Sequence, residues 1–416
     1  MKYMLAFLLA VLLLLGGCEQ QPSVEVPQTE QSAALAENVR AMWISQFDLS
    51  LMCLANGQAR PREEFEARAI LMVSKLKMIG INTVFLQARP NADALYPSVL
   101  FPPSSYAVGT TLSPLPYDPF GILVEACQRG DISVHAWINP LRAMRVDDPR
   151  ATSVEYPVGA WIADPTTCGK YVVEVGGTYY LNPAYAEVRA LICAGADEIL
   201  ERYAVDGIHI DDYFYPTTDP SFDATVFEEY VQSGGTATLG DFRRAQTEAL
   251  IASLSQTSHA HGRLFGVSPG GNMQRNFEQL YADVDAWCEN GYLDYLCPQI
   301  YFGMEHETFP FTTVCAAFDA LASKTKTPLI VGMTLEKAAN ASVGGEDIYA
   351  GDGRREWIED RDVLARCLTA TRALPSCRGV ALFSYRLLFS PDNGSENEAV
   401  SEEYEAFLPV LKEITW

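Results

Sequence analysis

The sequence predicts an α/β protein built as a (β/α)8 TIM barrel, with long βα loops after strands 2, 3 and 4. Three observations lead there. From Val39 to the C-terminus, short apolar runs alternate with amphipathic stretches of helical period, the pattern of parallel strands with helices between them. Eight such strand-then-helix units follow one another, and eight close most naturally as a barrel in a chain of this size. The turn after the first run, Ser45-Gln46-Phe47-Asp48, lacks the glycines that a nucleotide-binding open sheet places there.

Each unit has its own justification. The strands are expected at 39–45 (VRAMWIS), 83–88 (TVFLQA), 133–139 (SVHAWIN), 207–211 (GIHID), 264–268 (LFGVS), 295–301 (YLCPQIY), 329–334 (LIVGMT) and 379–385 (GVALFSY). All are short, apolar and rich in β-branched or aromatic residues. The helix at 62–78 repeats Phe65, Ala69, Met72, Val73 and Leu76 on one face and stops at Gly80. Further helices are expected at 119–129, 184–203, 241–258, 282–289, 312–323, 358–373 and 402–411. The connections at 90–118, 140–183 and 213–240 are long and rich in aromatics, Pro and Gly. Long loops on a rigid barrel build binding grooves.

The N-terminal 36 residues are not part of the barrel pattern. Residues 1–17 carry Lys2 and an apolar run from Leu5 to Leu15, too short to span a membrane as a mature helix and shaped like a signal peptide. The ending Leu15-Gly16-Gly17-Cys18 resembles a bacterial lipoprotein processing site, which implies cleavage before Cys18 and a lipid on its thiol. Residues 18–36 are polar and lack periodicity, as expected of a flexible tether. The barrel domain is then 37–416. The expected location is the cell envelope, outside the cytoplasm, with the membrane reached only through that lipid.

Composition narrows the partners. The 416-residue chain has a formal net charge of −23, which argues against nucleic acid and against charge-driven binding to anionic lipid. Ten cysteines are present, none in a CxxC pair, so a structural zinc site is not expected. With Cys18 set aside, nine remain. Several fall on apolar helix faces where Cys acts as a small hydrophobe, and one or two disulfides stay open. No cofactor is expected.

Active-site groups of a TIM barrel sit at the C-terminal ends of its strands, and the polar residues gather there. The second strand leads into Gln87, Arg89, Asn91 and Asp93. In the third, His135, Trp137 and Asn139 alternate with Val134, Ala136 and Ile138, which face the helices. The fourth gives His209 and Asp211 on one side, then Asp212 and Tyr213. Ser268, Gln299 and Tyr301 end the next two strands. Inward parity in the seventh runs through Thr334 to Glu336, and the eighth ends in Ser384, Tyr385 and Arg386. Asp206 and Asp294 precede strands and belong to the opposite face.

The segments that carry these residues resemble a known family. The segments 39–45 with Asp48, QARPNADALYP (87–97), HAWINPLR (135–142), LNPAYAEVR (181–189), GIHIDDYFYP (207–216), FGVSP (265–269), DYLCPQIY (294–301) and GVALFSYR (379–386) are similar, in order, to the glycosyl-hydrolase-like family related to family ten barrels. The resemblance implies a TIM barrel in a bacterial envelope protein acting on glycans. One branch implies cleavage of peptidoglycan glycan strands stripped of their peptides.

Glycoside hydrolysis needs two carboxyl groups flanking the bond, one to donate a proton and one to act as nucleophile or base. Asp211 is the first candidate, on strand parity and on the resemblance, with Asp212 beside it to orient it or share its charge. Asp93 and Glu336 compete for the second place. Gln87, Arg89, Asn91, His135, Trp137, Asn139, His209, Tyr213, Ser268, Gln299, Tyr301 and Arg386 are candidates for holding sugar hydroxyl or N-acetyl groups. Two other classes compete. A non-catalytic glycan-binding lipoprotein would keep the amides and aromatics but has no need of four acids. A metal-dependent hydrolase or deacetylase wants clustered His and Asp at strand ends, where only His135 and His209 qualify, and no HExxH occurs, so no metal site is assigned.

Overall fold

The computed structural model describes residues 33–416. Its eight barrel strands are β1 (Val39–Ile44), β2 (Thr83–Arg89), β3 (Ser133–Ile138), β4 (Gly207–Ile210), β5 (Leu264–Val267), β6 (Tyr295–Leu296), β7 (Leu329–Thr334) and β8 (Cys377–Phe383). They pair in parallel in chain order and close where β1 meets β8, Val39 lying opposite Gly379. This is the TIM barrel that the alternating pattern predicts. The expected leader at 1–17, Cys18 and the tether up to Ser32 lie outside the described residues.

Alternation sorts each strand into two faces. Val39, Ala41, Trp43, Phe85, Tyr295, Ile330 and Ala381 pack together inside the ring, while Met42, Val84, Ala136, Ile208 and Ile210 join the larger core under the helices. Bulky interior rings need empty positions opposite them. A Cβ at Gly332 would lie 3.1 Å from the Trp43 ring, and one at Gly266 would overlap the ring of Tyr295.

The helices at Arg62–Met78 and Pro119–Arg129 begin and end where periodicity puts them. The second is capped by Asp118, whose carboxylate accepts the Gly121 N–H at 2.8 Å. Two expectations change. The sixth strand is not continuous from 295 to 301, because Pro298 has no N–H to give the ladder. Pairing stops at Leu296 and resumes only as isolated bridges from Gln299 to Gly270 and Gly332. The helix expected at 358–373 is split into Glu356–Glu359 and Val363–Ala370, with Asp360 extended between them. The Glu356 side chain, within the first piece, accepts the N–H groups of Met304 and Glu305, both at 3.0 Å, and so holds that piece against the loop after β6.

The long loops carry structure of their own. The loop after β3 folds a three-stranded antiparallel sheet from Arg142–Arg145, Val172–Val175 and Thr178–Leu181. The loop after β4 is pinned by a fully buried ion pair, Arg243 Nη2 to Asp223 Oδ1 at 2.7 Å and Nε to Oδ2 at 2.9 Å. At the seam, Asp48 accepts the Ser45 hydroxyl at 2.5 Å and N–H at 2.7 Å through Oδ2, and the Arg386 N–H at 2.6 Å through Oδ1. Below it, Arg40 donates to the carbonyls of Leu411 at 2.8 Å and Ile414 at 2.6 Å, and the Trp416 N–H donates to Asn38 at 2.7 Å. The nine cysteines among the described residues are all free, seven of them buried. No described helix is long and apolar enough to cross a membrane.

Candidate active site

The inward parity of β4 runs through His209 to Asp211, so the Asp211 carboxyl rises from the barrel axis into the mouth. It is only 3% exposed. Trp137, inward on the neighbouring β3, donates its indole Nε1–H to Asp211 Oδ2 at 3.1 Å, and the Tyr213 backbone N–H donates to Oδ1 at 3.2 Å. Burial and the adjacent charge of Asp212 push the Asp211 carboxyl well above the usual range, against the pull of those donors. Asp212 is raised as well, again by burial. Its Oδ1 accepts the Gln299 side-chain amide at 3.1 Å, and the same amide donates to the Ser268 carbonyl at 3.0 Å. The break in the sixth strand at Pro298 therefore sets Gln299 between two strand ends. Burial pushes the Tyr301 phenol up, and Cys297, Asp212, Glu336 and Asp211 add to it. Those three carboxyls and one phenol thus share one environment.

The mouth holds two adjoining lobes. The smaller, about 270 Å³, lies over the barrel axis, with Trp43 and Phe383 among its lining and Asp211, Asn139, Tyr213 and Glu336 around it. The larger, about 730 Å³, extends beside it past Gly270, Gly271, Phe302, Phe309 and Tyr349. Asp212, Gln299 and Tyr301 line both.

The structure therefore brings Asp211, Asp212, Glu336, Trp137, Asn139, Tyr213, Gln299 and Tyr301 to one cleft. It does not bring the others. Strand parity would aim Arg89 inward, but the β2–β3 register shifts between Gln87 and Arg89. The slip turns Arg89 outward, where its guanidinium lies 3.8 Å from the centre of the Phe101 ring, fully buried and without a hydrogen-bond partner. Gln87 lies under the mouth, donating its amide to the carbonyls of Arg89 (3.1 Å) and Trp137 (3.2 Å) and to Asn139 Oδ1 (3.2 Å). Asp93 is buried outside the cleft lining and accepts the Asn91 N–H at 3.1 Å. Burial raises its carboxyl, with Ser104 and Arg150 opposing. It and Asn91 shape the loop.

His135 and His209 lie deeper than the cleft. Each ring places Nδ1 3.0 Å from the Tyr295 hydroxyl, and His209 stacks on Phe85 at 3.9 Å. Burial lowers His135 to about 4, and burial with the help of His135 also holds His209 well below the ordinary imidazole range. Both are neutral interior packing rather than sugar ligands. The Ser268 side chain is buried and meets no partner; only its carbonyl serves the site, through Gln299. Arg386 sits over the Phe47 ring, 5.3 Å from its centroid, and acts on the cleft wall only through that ring. The sequence reading missed Gln46, Phe47 and Phe383 in the smaller lobe and Arg275 and Lys337 in the larger. Gln46 and Phe47 directly follow the first strand, and that position was the available signal.

Residues 38–348 match the family described as glycosyl hydrolase-like 10. The protein named glycosyl hydrolase DigH from Escherichia coli (strain K12) is 30% identical over 431 residues, covering 93% of each chain. Glycosyl hydrolase YngK from Bacillus subtilis (strain 168) is 30% identical over 283 residues, covering 62% of this chain and 52% of that one. Among solved structures, the PgaB (BpsB) glycoside hydrolase domain from Bordetella bronchiseptica superposes with a TM-score of 0.54 at 12% identity, covering 91% of this chain and 99% of that domain. The catalytic domain of β-amylase from Paenibacillus polymyxa gives 0.57 at 11% identity, covering 90% and 99%. At such identities the last two speak for the barrel alone. The match over most of the chain and the full-length relative show that this chain belongs to the glycosyl hydrolase-like 10 family.

Proposed function

We propose that the protein is an O-glycosyl hydrolase acting on a bacterial cell-wall or other polysaccharide, with peptide-free peptidoglycan glycan strands as its substrate. The observation that carries the reading is the Asp211–Asp212 pair, two consecutive carboxyls in one cleft, both held above their ordinary range. Two such neighbours resist losing both protons, which favours a state with one carboxyl protonated and one ionised. Those are the two states that glycoside cleavage uses. Glu336, which also lines the smaller lobe, is the third carboxyl and a candidate partner. Trp43 and Phe383 offer flat faces to a ring, and Asn139 and Gln299 offer amides to its polar substituents. The family and the name of the DigH relative support glycan hydrolysis. The substrate choice rests on the branch of the family that the sequence resembles.

The test is release of reducing ends from metal-stripped protein and peptide-free glycan strands. Asp211→Asn is expected to lower the rate by about 10²–10⁴-fold, the usual worth of a positioned acid or base; full activity in that variant refutes the role. A wild type that binds strands but releases nothing is instead a glycan-binding barrel. We also assign the chain to the envelope through a lipid on Cys18, on the strength of the Leu15-Gly16-Gly17-Cys18 ending. Radiolabelled palmitate that enters the wild type but not Cys18→Ala tests that assignment.

A further inference from the structure

The two aspartates differ in what their oxygens do and in which lobe they face. Asp211 lines the smaller lobe alone, and both of its oxygens already accept hydrogen bonds, from Trp137 and from the Tyr213 N–H. Both oxygens are thus engaged as acceptors and fixed in direction, so Asp211 keeps no free oxygen to turn toward a bridging atom. Asp212 lines both lobes. Gln299 occupies its Oδ1, while its Oδ2 accepts no hydrogen bond from another residue among the described ones. Oδ2 points toward Gly270, where even an added Cβ would stand 3.5 Å away. Asp212 therefore keeps a free oxygen at the boundary between the lobes.

A glycosidic oxygen lies between the sugar that is attacked and the sugar that leaves. Its proton must come from a group at the boundary between their two subsites. We propose that the smaller lobe holds the attacked sugar, that the larger lobe holds the leaving chain, and that Asp212, not Asp211, is the proton donor. The larger lobe has more than twice the volume of the smaller and adds Phe302, Phe309 and Tyr349 as stacking faces, as a chain of several rings requires. This assignment rests on the hydrolytic reading above. In the step, the bond from the attacked anomeric carbon to the bridging oxygen breaks. Its electron pair stays on that oxygen, which takes the Asp212 proton. A water then supplies its oxygen to the anomeric carbon and a proton back to the Asp212 carboxylate. Asp211, beside the attacked sugar, orients or stabilises it.

Leaving-group dependence tests the assignment. Wild type digests peptide-free glycan strands, and the newly exposed reducing sugar is identified. That sugar is then supplied as its dinitrophenyl glycoside, whose leaving group departs without a proton. Asp212→Asn is expected to lose about 10²–10⁴-fold in kcat/KM on glycan strands but no more than about tenfold on the dinitrophenyl glycoside, the residue of a removed proton transfer. Asp211→Asn is expected to lose heavily on both. If Asp212→Asn is equally crippled on the two substrates, or if Asp211→Asn is the variant spared, the assignment falls while the hydrolytic reading stands. A wild type inactive on strands overturns both. Should Asp212→Asn fail to fold, Gln299→Met takes its place. That change removes the amide donor to Asp212, so the acid form survives to higher pH. The basic limb of the glycan profile then moves up, and a limb that stays put overturns the assignment.

Discussion

Trp137→Phe isolates one hydrogen bond in the cleft. The substitution keeps an aromatic ring over the barrel axis and deletes the indole N–H that donates to Asp211 Oδ2 at 3.1 Å. A hydrogen bond to a charged group is worth about 1.5–3 kcal/mol, and Asp211 is nearly fully buried, so screening by water takes little from that figure. The bond favours the ionised carboxylate, and its loss raises the pKa of a group that burial already raises. At about 1.4 kcal/mol per pH unit, the acidic limb of the kcat/KM profile moves up by about one to two pH units. Activity falls on the acidic side of the profile and recovers toward alkaline pH. The assay is kcat/KM on peptide-free strands across the pH range, with thermal unfolding as the control for folding. An unmoved limb, or a loss of equal factor at every pH, refutes the view that this bond sets the charge of Asp211.

Three further predictions concern the scaffold. Arg243→Ala leaves the Asp223 carboxylate buried without its partner; urea denaturation is expected to show a loss of about 3–5 kcal/mol, and a loss below about 1 kcal/mol refutes the pairing as described. Gly195→Ala puts a Cβ against the Arg89 guanidinium and 2.6 Å from the Phe101 ring, so a lower melting temperature, equivalent to about 1–3 kcal/mol, is expected from overpacking; an unchanged melt contradicts the outward course of Arg89. His135 is lowered from 6.5 to about 4 by burial, so the unfolded chain binds the extra proton and stability is lost as pH falls from 6.5 toward 4. The contribution is about 3–4 kcal/mol at about 1.4 kcal/mol per pH unit; His135→Gln is expected to flatten that part of the stability–pH curve, and an unaltered slope rejects the assignment.

Much of the fold was legible because a barrel strand must alternate. Trp43, Phe85 and Tyr295 pack inside while Ile208 and Ile210 pack under the helices, and that two-residue period is written directly in the chain. The same rule found Asp211, Trp137 and Asn139. It failed where the strand itself departs from regularity. One register slip after Gln87 reverses Arg89, and nothing in the string QARPN announces it. It also overreached in depth: parity places His135 and His209 inward but does not say how far below the mouth, and their shared partner Tyr295 lies far away in sequence. Gln46 and Phe47 were missed because a turn has no period to read. The larger lobe was missed because its walls come from the Gly270–Arg275 turn and the loops after β6 and β7, which meet only when the ring is closed.

The closure between Val39 and Gly379 has a consequence for biosynthesis. The stave that completes the ring emerges last from the ribosome, and until then β1 and β7 each expose a bare hydrogen-bonding edge to the cell. The ties from Asp48 to Arg386 and from Arg40 to the final helix reach across the same gap. A nascent or truncated chain without β8 is thus no smaller barrel but an open sheet with two adhesive rims, prone to pairing with its neighbours.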